Sequence, residues 1–114
     1  MKIGELSRRS GVSPRSLRYY EQHGLIHAER GPNGYREYDD ATVERAATIH
    51  ELFGLGFPRP VVRSVLACSG QAPASAHDDA VVHLARVRDE MAGRIARLSE
   101  THRLVNEFLD ARGA

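Results

Sequence analysis

Leu84, Met91, Leu98 and Val105 recur at intervals of seven residues, with Ile95 and Leu109 four positions further on and Val87 beside them. A seven-residue apolar repeat predicts one long helix carrying a narrow apolar seam. Arg88 and His102 interrupt that seam, His102 as a polar marker of register. At 1.5 Å per residue a helix of about 35 residues is about 50 Å long. A chain of 114 residues offers nothing large enough for such a helix to fold back on, so the seam demands a partner. The simplest partner is a second copy, which makes Leu84, Val87, Met91, Ile95, Leu98, His102, Val105 and Leu109 the expected dimerisation residues.

The rest of the chain is too small for a large enzyme cavity. With three Phe, four Tyr and no Trp, its core is expected to be aliphatic and helical. Cys68 is the single cysteine, which excludes an internal disulfide, and an iron–sulfur cluster would want about four thiolates. No apolar run approaches the ~18 residues of a membrane span, and no export signal opens the sequence. The expectation is a cytoplasmic protein without a membrane partner.

A formal net charge of +1 argues against a nucleic-acid partner until the charges are divided along the chain. Residues 1 to 38 hold seven basic and four acidic residues, a net of +3. Residues 39 to 114 hold nine basic and eleven acidic, a net of −2. A basic front suits a polyanion.

Within that front, Ile3 and Leu6 share a face of a short helix that Gly11 ends. Ser13 is placed to cap the next helix, Pro14 fits its first turn, and Val12 and Leu17 are spaced as a hydrophobic staple. Two short helices around a tight turn form a helix-turn-helix, whose second helix is presented outward. Ile26 to Arg30 and Tyr35 to Tyr38 then read as a β-hairpin around Gly31, Pro32, Asn33 and Gly34. Asp39 or Asp40 caps a third helix, with Val43, Ala46, Ala47, Ile49 and Phe53 as its apolar stripe. A fourth helix begins near Pro58 and Pro60 and ends at Ser69 and Gly70. The expected fold is mainly α: a winged helix-turn-helix domain over residues 1–70, a hinge over 71–76, and a coiled-coil dimerisation helix over 77–112.

Arg15 and Arg18 lie three apart on the outward helix, where a guanidinium can fork onto guanine edges or phosphate, and Ser16 is small enough to allow close approach. Tyr19 and Tyr20 point to different faces, so at most one is core while the other offers a hydroxyl to phosphate. Arg30, Tyr35 and Arg36 make the hairpin a plausible wing beside the groove.

These residues, read as SPRSLRYYE over Ser13 to Glu21, then Gly24 and Leu25, NGYREY over Asn33 to Tyr38, and the opening MKIGELSRRSGVS, resemble the MerR family of bacterial transcription regulators. The resemblance implies DNA contacts from Arg15, Arg18 and Tyr20 and phosphate contacts from Tyr35 and Arg36. It also implies an antiparallel homodimer on an inverted-repeat promoter, a bent and untwisted spacer, and RNA polymerase as partner. Where relatives often carry a basic residue ahead of a Gly-Phe step, Leu52 and Phe53 stand here, so binding is expected to lean on the wing.

Three other readings compete. An excisionase-like architectural protein would bend DNA without acting at promoters. A protein-interaction module would use the coiled coil alone. A metal-responsive regulator would draw on Cys68 with His77 or His83, although the spacing favours a buried thiol and solvated imidazoles. No cofactor or metal site is expected, and no nucleophile–base set supports an enzyme. His77, Asp78 and Asp79 are explained by the dipole of the long helix.

Overall fold

The computed structural model describes residues 1–69 and 74–113. Its elements run α1 (Ile3–Ser10), α2 (Pro14–Gln22), β1 (Glu29–Arg30), β2 (Arg36–Glu37), α3 (Asp40–Gly54), α4 (Arg59–Cys68) and α5 (Ala74–Ala111). They divide into two compact units, Met1–Arg63 and Ser64–Ala114.

The first unit is set by local stop and start signals. Gly11 takes φ 75° and returns its N–H to the Ser7 carbonyl, which ends α1. Ser7 Oγ donates to the Val12 carbonyl at 2.6 Å, fixing the turn. Ser13 Oγ then accepts the Ser16 N–H at 3.1 Å, the side-chain cap that starts α2 over Pro14. Leu6, Val12, Leu17, Leu25, Ile26, Ala46, Ile49 and Val62 are at most 1% exposed and form the core. Each large aliphatic chain so buried is worth about 1.5–3 kcal/mol of transfer free energy.

Asp39, rather than Asp40, caps α3: its carboxylate accepts the Thr42 N–H at 3.0 Å and the Thr42 hydroxyl at 2.7 Å. Those bonds hold its pKa below the ordinary value. Ala46 and Ile49 are buried, while Val43, Ala47 and Phe53 are half-buried.

The ribbon is shorter than the hairpin expected over Ile26–Arg30 and Tyr35–Tyr38. Only Glu29 with Glu37 and Arg30 with Arg36 pair, antiparallel. Leu25 and Ile26 are drawn into the core, and the Leu25 N–H closes onto the Tyr20 carbonyl at 2.8 Å. Arg45 Nε donates to the Leu25 carbonyl at 2.5 Å, and burial lowers the pKa of that guanidinium. At the other end Tyr38 is buried and its N–H meets the Met1 carbonyl at 2.7 Å. Gly34 makes the reversal at φ 76°.

In the second unit α5 spans 38 residues, about 57 Å at 1.5 Å per residue. It begins at Ala74, so the last three residues of the expected 71–76 hinge are helical; the residue types Ala-Ser-Ala extend the helix without hindrance. Residues 71–73 of that expectation lie outside the described residues. Ser64 Oγ and His83 Nδ1 meet at 2.6 Å, joining the end of α4 to α5, and Leu66 and Ala80 are buried. No helix among the described residues is long and apolar enough to cross a membrane.

Candidate nucleic-acid interface

The cap at Ser13 leaves the first turn of α2 open to solvent with Arg15 and Arg18 on its surface, both exposed. Neither makes a hydrogen bond or ion pair among the described residues, so both guanidinium forks are available. Ser16, half-buried, is held by Ser13, whose hydroxyl lies 3.1 Å from its own.

The fold brings the wing to Arg18. An open cleft of about 540 Å³ is lined by Lys2, Ile3, Arg18, Arg30, Gly34, Tyr35, Arg36 and Tyr38. Four cations from three separate stretches of chain converge there, with Tyr35 standing 61% exposed among them. Lys2 Nζ sits 4.8 Å from the Tyr35 ring centroid, a cation–π contact that steadies an otherwise exposed ring. Sequence reasoning counts Lys2 as a charge but does not place it at the site. No local pattern announces it, because the backbone bond between Met1 and Tyr38 is what carries it there.

A second feature that sequence reasoning misses links α2 to β2. One oxygen of the Glu21 carboxylate accepts the Tyr38 hydroxyl at 2.5 Å, and the other lies 3.1 Å from Arg36 Nε in an ion pair. Burial, together with the hydrogen bond to Glu21, pushes the Tyr38 pKa up to about 12. Tyr38 is therefore a permanent donor at neutral pH.

The two tyrosines of α2 separate as expected, and the structure decides which is which. Tyr20 is 3% exposed with its ring stacked on Phe53 at 5.7 Å. Its ring is therefore core, packed against α3. Burial also raises its pKa. Tyr19 is the exposed member, 40% accessible, and its hydroxyl accepts from Arg59 Nη1 at 3.0 Å. Both line a shallower cleft of about 460 Å³ with Ser16, His50, Phe53 and Gly54. Arg59 thus brings a cation from α4 to the recognition helix. Arg63 Nη2, donating to the His23 carbonyl at 2.6 Å, closes the C-terminal end of α2.

Along α5, Leu84 and Val87 are half-buried, whereas Met91, Ile95, Leu98, Val105 and Leu109 are 42% to 70% exposed and His102 is also exposed. Leu104 and Phe108, 51% and 58% exposed, stand outside the expected set. Phe108 keeps the heptad position of Val87, 21 residues before it, whereas Leu104 lies well over 100° from the centre of the seam at 100° per residue, so a heptad search passes Leu104 by. Cys68 is a free, partly buried thiol. Among the described residues no three His, Cys, Asp or Glu side chains gather to hold a metal ion.

Comparison with known proteins agrees with this architecture. The profile of the family described as MerR HTH family regulatory protein matches residues 1–67. The HTH-type transcriptional regulator HmrR of Rhizobium leguminosarum bv. viciae is 37% identical, over 97% of this chain and 85% of its own. Among solved structures, the transcription regulator PbrR691 of Ralstonia metallidurans CH34, in complex with lead(II), is similar at TM-score 0.59. It is 25% identical over 98% of this chain and 84% of its own. HiNmlR, a MerR family regulator lacking the sensor domain and bound to promoter DNA, shares the fold at TM-score 0.59 with 17% identity. The match covers 88% of this chain and 76% of that one.

Proposed function

Since the chain belongs to the MerR HTH family and is a DNA-binding transcription regulator, we propose that it acts as a homodimer on an inverted-repeat promoter site. The observation that carries this reading is the cationic cleft in which Arg18 of α2 meets Arg30, Tyr35 and Arg36 of the wing. In it, a helix that can enter a major groove is flanked by a grip for the adjoining phosphates. Arg15 and Arg18 read base edges or fix register, while Arg30, Tyr35 and Arg36 hold the backbone.

Paired α5 seams set the distance between two such grips, so the recognition helices fall in successive major grooves. Deforming the spacer is offset by added backbone contacts, and RNA polymerase then meets a promoter whose elements have been brought into line. The protein works on DNA geometry and catalyses no reaction.

Footprinting on the DNA upstream of its own coding sequence, with Arg18→Ala and Arg36→Ala as controls, tests the reading. Each variant should weaken binding and flatten the dependence of log K on log salt by about 0.9 for each phosphate it no longer neutralises. An unprotected upstream region, or variants that bind as the parent does, would refute it.

A further inference from the structure

A carboxylate in the middle of a DNA grip is an electrostatic liability. Glu21 sits beside Arg36, and its negative charge opposes that of the phosphates the cleft is meant to hold. The ordinary expectation is that removing it tightens binding.

The geometry points the other way. The closest approach of Glu21 to Arg36 is an ion pair through Nε, at 3.1 Å, and the Arg36 side chain remains 66% exposed. Neither terminal nitrogen of that guanidinium makes a hydrogen bond among the described residues. A guanidinium held on its Nε keeps two parallel N–H donors free at the far end, the fork that matches two phosphate oxygens. Glu21 can hold it there because it is itself held: its other oxygen is fixed by the Tyr38 hydroxyl, and its side chain is only 20% exposed. An arginine on a two-residue strand would otherwise sample many rotamers and lose that entropy on binding.

We propose that Glu21 is a positioning residue of the DNA grip, a buried-side clamp that aims the Arg36 fork at a phosphate and whose charge is the condition for doing so. This rests on the reading of the cleft as the phosphate grip, and it adds to that reading a specific role for an acidic residue.

The test is titration of a fluorescein-labelled duplex from upstream of the protein's own coding sequence with four variants. Glu21→Gln keeps the size and can still bond Tyr38, but it removes the negative charge that draws in the Arg36 guanidinium, so the ion pair is lost. It should bind about tenfold more weakly in spite of shedding a negative charge. Its salt slope should fall by about 0.9, as that of Arg36→Ala does, a change that a mere drop in fold stability does not produce. Glu21→Gln with Arg36→Ala should be no weaker than Arg36→Ala alone. Tyr38→Phe, which keeps the buried ring, should weaken binding in the same direction by a smaller factor, and it decides the matter if Glu21→Gln does not fold.

Tighter or unchanged binding by Glu21→Gln, or losses that simply multiply with that of Arg36→Ala, overturns the inference while leaving the cleft reading intact. If Arg36→Ala itself changes neither affinity nor slope, the cleft reading fails and the inference falls with it.

Discussion

Tyr38 gives its hydroxyl proton to Glu21 from a site 4% exposed, so ionising it strips a buried donor and sets two anions side by side. Its pKa is accordingly raised from 10.0 to about 12 in the folded protein. The sign follows from linkage: the folded state holds this proton more tightly, so the stability supplied by the bond is complete below pH 10.0 and disappears as pH rises through about 12. Phenolate absorbance should show a phase near pH 12 that Tyr38→Phe lacks. Denaturant melts of the parent should lose stability over the same interval while the variant's change less. A Tyr38 that titrates with a freely exposed tyrosine would contradict the buried bond. At this scale Arg15, Arg18 and Tyr35 are legible from sequence because a helix surface and a ribbon edge expose whatever stands on them. Lys2, Glu21 and Tyr38 are not, since Glu21 and Tyr38 lie 17 positions apart and meet only once the core closes.

Caps and turns are the part of this fold that sequence spells out, because their hydrogen bonds close within three or four residues. Gly11, Ser13 and Asp39 each punctuate a helix where local chemistry says they should. The Ser13 bond to the Ser16 N–H is therefore a clean place to test the recognition helix. Ser13→Ala should lower unfolding stability by about 1 kcal/mol and Ser13→Gly by only a few tenths, read as a shift in urea midpoint at constant slope. Equal costs for the two would mean that the hydroxyl caps nothing. The strands are shorter than their composition suggests for the opposite reason. Leu25 and Ile26 suit a strand, but the core takes them, and that competition is decided between elements rather than along one. The start of α5 at Ala74 is a milder case, in which a small, polar stretch that reads as hinge also suits a helix.

On the scale of the whole molecule, the decisive feature is what α5 leaves uncovered. A helix of 38 residues with Met91, Ile95, Leu98, Val105 and Leu109 exposed on one face has not satisfied its own pattern, and the seven-residue repeat alone makes that plain. What the repeat leaves out is the exposed Leu104, and a substitution series can separate it from the seam. Ile95→Asp with Leu98→Asp should convert a sedimenting dimer to single subunits, because two charges would enter a dry interface without partners. Leu104→Asp, off the seam, should leave the dimer largely intact. Two tethered heads bind an inverted repeat through an effective concentration of about millimolar, so dissociation should cost about 100-fold in affinity for the full site. Affinity for a single half-site should barely change, since each head keeps its cleft. A parent chain that sediments as one subunit, or a Leu104→Asp variant that dissociates as completely as the seam variant, would place the pairing surface elsewhere on α5. The spacing between the two grips would then have to come from that other face.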